Sequence, residues 1–368
     1  MKLICEQDIL SAAVTNVQRA VSVKTTLPAL EGILIRAEEG KIKLCGYDLE
    51  IGITTKIEAD IEDEGAIVVN AKLFAEIIRR LPSGKVSIET DEKYITYITM
   101  GEINYQIVGM YPGEFPEIPS FDEIDNISIQ SSLLKNMIRQ TIFATSDDMS
   151  KMVYTGALFE FENRVFSIVA IDGIKMAVRK EAVDYGESSR FIVPKKALNE
   201  ILKLGSDSDE QQIQIITGQR HAVFKINEYS VFTRLIEGSF IDYKSTIPRD
   251  IKTETCVVAR DFISSVERMS LLTSEKIQSP IRLQFKNDEI KLSCSTTIGK
   301  ANDVIKAPLM GEEIEIGFGN RHLLETLKNT DTDIIRIQLQ NASKAMIITP
   351  AEGDSYLFLV VPMRLQRS

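Results

Sequence analysis

Residues 157–178, ALFEFENRVFSIVAIDGIKMAV, align without a gap on two other segments of the same chain, 124 positions earlier and 124 positions later. The earlier segment is 33–54, ILIRAEEGKIKLCGYDLEIGIT, and the later one is 281–302, IRLQFKNDEIKLSCSTTIGKAN. Leu34 meets Leu158, Ile35 meets Phe159 and Asp48 meets Asp172, and Leu283, Phe285, Ile290 and Leu292 continue the apolar positions in the third segment. Alternating apolar residues on either side of Glu162-Asn163-Arg164 predict a β-hairpin. One hairpin is therefore written three times at even spacing.

The same spacing holds for the flanking elements, which separates an internal repeat from a chance match of strand patterns. An amphipathic helix precedes each hairpin, at 8–20, 131–143 and 261–272, and Asp8 is expected to cap the first. A strand running into a second helix follows each, at 68–81, 192–204 and 316–328. Each copy closes with a strand, and the segment 94–109 predicts two strands around Met100-Gly101-Glu102. Prolines at 112, 116 and 119 then stop the chain from continuing as strand, and 121–126 is acidic. These marks place three α+β domains at 1–120, 127–248 and 250–368. The loop 205–210, GSDSDE, reads as a solvated turn, and 245–250 is too short to let two domains swing freely.

With 368 residues, 44% of them hydrophobic, the chain has apolar material for three such cores. Its four cysteines are scattered without a Cys-x-x-Cys pair, and Glu6 and Asp8 break the N-terminal apolar run. The expectation is a reduced, cytoplasmic setting. No stretch is apolar enough for a membrane span, and no membrane partner is expected.

Strand-rich domains laid in a row leave unpaired strand edges at both ends of the row. Three repeats closing on themselves would remove them, and so would two chains joined head to tail. Six domains give twelve helices, which at about 9 Å between axes trace a circle roughly 35 Å across and leave an opening of roughly 25 Å. Duplex DNA fits through such an opening, whereas three domains alone leave almost none. The six helical segments sum to a net charge of +6 in a chain of net −10, so the helices form a basic layer on an acidic background. Lys135 and Arg139 lie four apart on one helix face, a repulsive spacing unless something anionic compensates.

The repeat, together with TLPAL at 26–30, GYDLEI at 46–51, AIDGIKMAV at 170–178, GSFIDYKSTIP at 238–248 and VVPMRL at 360–365, resembles the bacterial DNA polymerase III beta subunit family, the sliding clamps. The match runs in order through the whole chain. The resemblance implies three clamp domains, each with antiparallel sheets outside and two helices inside, in a head-to-tail homodimeric ring around duplex DNA, independent of DNA sequence. It implies a processivity subunit that holds the replicative polymerase and has no catalytic site, cofactor or metal of its own. The implied partners are the polymerase alpha subunit, the clamp loader and other proteins that carry a clamp-binding peptide, typically a glutamine followed by leucine and phenylalanine.

Carried over by position, the peptide cleft is expected at Tyr154, Gly173, Lys175, Met176, Ile241, Thr246, Val361, Pro362, Met363, Arg364 and Leu365. An apolar pocket with a few orienting polar groups suits such a ligand. Ile174 and Lys175 stand where the family often has a His-Arg pair, and Ser245 where it often has arginine. Gln366-Arg367-Ser368 extend past the family's usual end. The expected DNA-facing residues are Lys24, Lys72, Arg79, Arg80, Lys135, Arg139, Lys196, Lys203, Arg321 and Lys328, and the expected dimer interface uses Tyr105 and Ile107 against Leu271 and Leu272. Phosphate contacts of this kind position without reading sequence and weaken with salt.

Two other classes stay open at this point. An enzyme finds little support, because the chain has only two histidines, His221 and His322, and lacks a phosphate-binding or nucleophile-elbow motif. Asp48 and Asp172 read as turn residues rather than paired catalytic carboxylates. A repeat scaffold that binds only protein predicts instead that DNA topology has no effect on binding.

Overall fold

The computed structural model describes residues 1–22, 25–273 and 279–365. It divides into two compact units, one of Met1–Lys135 with Lys196–Leu235, the other of Asn136–Lys195 with Ile236–Ser368.

The first unit holds a five-stranded and an eight-stranded antiparallel sheet. The five-stranded sheet runs, in spatial order, through Asp60–Asp63, Lys2–Glu6, Lys85–Thr90, Ile95–Met100 and Ile103–Val108. The eight-stranded one joins Asp125–Gln130, Gln212–Thr217, His221–Ile226 and Tyr229–Arg234 to Ile51–Glu58, Lys41–Tyr47, Gly32–Glu38 and Gly65–Asn70. Helix α1 (Gln7–Val17) buries Leu10, Ala13, Val14 and Val17, and α2 (Ala71–Arg80) buries Phe74, Ile77 and Ile78 against it. Asn70 caps α2, its side-chain oxygen accepting from Leu73 N at 3.0 Å. Asp8 does not cap α1: the residue before the helix is Glu6, and Asp8 accepts only from its neighbour Ile9. Helix α3 (Ser131–Ile142) begins in this unit, and α4 (Lys195–Leu204) lies in it from Lys196 on.

The second unit is built the same way. Its nine-stranded sheet runs Ser189–Pro194, Gly156–Glu162, Val165–Ile171, Lys175–Ala182, then Tyr356–Val360, Met346–Pro350, Ile334–Leu339, Thr253–Val258 and Leu309–Gly311. Its four-stranded sheet runs Gly299–Lys306, Glu289–Thr296, Ile281–Lys286 and Ile314–Phe318. Helices α5 (Ala259–Ser270) and α6 (Asn320–Lys328) pack together through Phe262, Val266, Met269, Leu323 and Leu327.

The repeat is exact enough to appear in the dihedral angles. Glu39-Gly40, Asn163-Arg164 and Asn287-Asp288, spaced at 124, all take positive φ of 52 to 74°, with Arg164 at 60° and Asp288 at 58°. Two successive left-handed residues make the two-residue hairpin turn whose twist matches the strands. Asp48 and Asp172 are turn residues, as expected. Asp48 Oδ1 accepts from the amides of Glu50 and Ile51, and Asp172 Oδ1 from those of Ile174 and Lys175, at 2.7 to 3.0 Å.

Candidate functional site

In the second unit, strand Lys175–Ala182 pairs with Tyr356–Val360, Lys175 opposite Val360 and Met176 opposite Leu359. The pairing extends past the strand, where Val361 N donates to Ile174 O at 2.9 Å. Two residues on, Met363 N donates to Gly317 O at 2.8 Å, tying the tail to the four-stranded sheet. A Cβ on Gly317 would stand 2.5 Å from Leu365 Cδ2, so the Leu365 side chain rests directly over this glycine.

Apolar side chains gather around this strand pair. Met176 is buried in the core with Leu158, Val178, Phe240 and Leu359, and half-buried Tyr154 packs on it, edge-on to Phe240 with ring centroids 5.7 Å apart. Thr246 Oγ1 donates to Tyr243 O at 2.7 Å and lies 3.8 Å from Met176 Sδ. Ile241, Val361 and Met363 stay about two-fifths exposed, and Arg364 is exposed. Gly173, at φ 93°, forms the turn before Lys175, and Pro362 and Leu365 are half-buried along the tail. The expected cleft residues therefore fall in one unit, on one sheet and the segments packed against it. Gln366, Arg367 and Ser368 lie outside the described residues.

Sequence reasoning missed what holds Lys175. Its ammonium is buried and pairs with Glu325 of α6, stands 3.4 Å from Asp172, donates to Phe143 O at 3.1 Å and lies 5.6 Å from the Phe143 ring centroid. Burial pushes the Glu325 carboxyl upward, but the Lys175 hydrogen bond and charge more than offset it and the net shift is down. Next to this group His322 is held below its usual range, first by burial and then by the Lys175 charge, and its Nδ1 is buried without a partner.

The expected DNA-facing bases are mostly held by acids. Arg79 and Arg80 of α2 share the Glu76 carboxylate, Arg80 at 3.0 Å. Lys196 pairs with Asp48, and Lys203 with Glu200 at 2.7 Å. Glu200 also faces Arg19 at 3.8 Å, without a hydrogen bond. In the second unit Arg321 reaches Glu325 at 3.4 Å, Lys328 reaches Glu267 of α5 at 2.7 Å, and exposed Arg139 donates to Asn136 at 3.3 Å. Lys72 is exposed on the first turn of α2. Lys24 lies outside the described residues.

Lys135 corrects the expectation. Its side chain is buried, donates to Gly205 O at 2.7 Å and pairs with Asp207 at 2.9 Å, so it secures a loop and offers no charge to a ligand. The turn at 205–210 is correspondingly more than a solvated loop, with Asp209 also accepting from Ser132 at 2.5 Å. Ile107 on the edge strand is 8% exposed, its side chain packed within the first unit. Tyr105 on the same edge strand is 40% exposed, Leu271 is 81% exposed and Leu272 is half-buried.

Helix pairs and antiparallel sheets, written three times along the chain, define a threefold repeat of the clamp type. Family models for the N-terminal, central and C-terminal domains of the DNA polymerase III beta subunit match residues 1–119, 128–242 and 244–364. The chain belongs to this family. It is 33% identical over 377 residues to the beta sliding clamp of Bacillus subtilis, covering 99% of this chain and 100% of that one. The crystal structure of the DNA polymerase sliding clamp from Bacillus subtilis superposes with a TM-score of 0.96 at 32% identity and full coverage of both chains. A sliding clamp from Pseudomonas aeruginosa bound to griselimycin gives 0.94 at 25% identity, covering 99% of this chain and 100% of that one.

Proposed function

We propose that two copies of this chain close head to tail into a six-domain ring around duplex DNA and hold the replicative polymerase on its template. The observation that carries this is a strand seam used twice within the chain. In the first unit, Ile51–Glu58 pairs with Tyr229–Arg234, beginning with Ile51 opposite Thr233. In the second, the 124-shifted strand Lys175–Ala182 pairs with Tyr356–Val360, beginning with Lys175 opposite Val360. The fourth strand of one repeat meets the last strand of the next, in the same register.

One strand of each kind is left over. Ile103–Val108 ends the five-stranded sheet and Gly299–Lys306 ends the four-stranded one. The opposite edge of the five-stranded sheet, Asp60–Asp63, carries charges that discourage pairing, whereas INYQIV at 103–108 is uncharged, with Ile103, Tyr105 and Val108 exposed. Applying the seam's register to these edges sets Ile107 opposite Gly299 of the partner subunit and Tyr105 opposite Ala301 of the partner subunit. Leu271 and Leu272 would then meet the same junction.

Three domains at 1–120, 127–248 and 250–368, basic helix faces toward the DNA, and a cleft at Met176, Thr246 and Met363 for the peptides of polymerase, clamp loader and other partners complete the reading. The names of the relatives support it. The ring needs no chemistry of its own, and its work is topological. Its place would be the cytoplasm, at the nucleoid; among the described residues no helix is long and apolar enough to cross a membrane.

Light scattering should give twice the chain mass of 41.3 kDa, and Tyr105→Cys with Ala301→Cys should cross-link under mild oxidation. A monomer at micromolar concentration with no cross-link would overturn the proposal.

A further inference from the structure

Helices α2, α4 and α6 carry the same three charges in the same places. Their second, sixth and ninth residues are Lys72, Glu76 and Arg79, then Lys196, Glu200 and Lys203, then Arg321, Glu325 and Lys328. Spacings of four and three put base, acid and base on one helix face. In each case the acid is engaged: Glu76 by Arg79 and Arg80, Glu200 by Lys203 and at 3.8 Å by Arg19, Glu325 by Arg321 and Lys175.

We propose that the glutamate of this triplet is a positioning residue for DNA, holding the bases it pairs with on its own helix (Arg79 and Arg80 for Glu76, Lys203 for Glu200, Arg321 for Glu325) at reduced effective charge so that the ring grips phosphates weakly enough to slide. This rests on the reading of these helix faces as the DNA-facing layer. A row of unscreened cations would offer the backbone a deep well at every turn, and counterion release would add to its depth with each contact. An acid within the row makes the bases paired with it choose between its carboxylate and a phosphate. The Glu76 pairs are exposed and therefore weak, so that exchange there is close to even and leaves shallow wells. A helix pair needed only for helix stability would use one base per acid, whereas Glu76 takes two, and Glu200 and Glu325 each reach a base outside their own helix.

Glu76 gives the cleanest test, because it is 38% exposed at its side chain and its recorded ion-pair partners, Arg79 and Arg80, lie on its own helix. Binding of a short labelled duplex would be followed by fluorescence anisotropy from about 50 to about 200 mM salt, on protein whose dimer mass has been verified by light scattering. Each added phosphate contact steepens the log–log salt slope by about 0.9, so Glu76→Gln should steepen it by about 2 per two-subunit ring. Its advantage over the unmodified protein should then grow roughly tenfold between the highest and lowest salt. Glu76→Asp should restore the original slope, and Arg79→Glu with Arg80→Glu should weaken binding. If Glu76→Gln leaves the slope unchanged while the arginine variant weakens binding, the proposal fails and the DNA-facing reading stands. If the arginine variant binds as tightly as the unmodified protein, the DNA-facing reading fails and takes the proposal with it.

Discussion

Two histidines and two buried lysines carry the most informative single-residue chemistry. Burial and the Lys175 ammonium hold His322 below its usual range, while Asp172 and Glu325 pull the other way and Arg321 adds to the lowering. The folded chain therefore prefers the neutral ring, and the unfolded chain binds the proton first as pH falls. The stability this contributes is full above about pH 6.5 and is lost below it. His221 shifts the same way, first by burial and then through Arg234 and Arg220. The melting temperature should fall as pH drops from about 7.5 to about 5.5, and His322→Asn in a His221→Asn background should flatten that fall, as differential scanning calorimetry would record. Lys175 was legible in the sequence as a position within a matching motif, but its counter-charge was not. Glu325 lies 150 residues away in sequence, and the distance along the chain hides the contact. Lys135 failed for the same reason. Its spacing from Arg139 placed it on an outward face, but a carbonyl and an acid 70 or more residues on, at Gly205 and Asp207, captured it.

At the scale of elements, periodicity and turn chemistry were enough to find the hairpins and helices. Alternation located the strands around 163–164, and apolar spacing located both helices of every repeat. What stayed hidden was where elements end, because neighbours settle that. Helix α5 starts at Ala259, two residues ahead of the expected 261, with the Ala259 amide donating to Asp333 O at 2.8 Å. The hairpin turns give a direct prediction. Arg164 holds φ at 60°, a conformation that costs a side-chain residue and not glycine. Arg164→Gly should therefore stabilise the chain by about 0.5 kcal/mol, the gain in turn geometry being partly offset by a more flexible unfolded chain. Equilibrium denaturation in urea would measure it, and a loss of stability would mean that the Arg164 side chain contributes more than its backbone conformation costs.

For the whole molecule, the threefold repeat was plain in the sequence, while the seams were not, since strand pairing between repeats leaves no local pattern. Placing charge on the unpaired edge tests their proposed third use. Tyr105→Lys with Val108→Lys should turn a dimer into a monomer by sedimentation at micromolar concentration and abolish retention on circular DNA, with the melting of each unit little changed. The seams also separate two things usually taken as one. Both fused sheets draw strands from two repeats, the eight-stranded from 32–70 and 125–234 and the nine-stranded from 156–194 and 253–360. A gene fragment cut at a repeat boundary would thus encode half of a sheet with a raw edge, prone to aggregate. What recurs along this chain is one repeat, but each fused sheet is shared between two neighbouring copies, so a single repeat on its own would carry a bare strand edge that invites a partner.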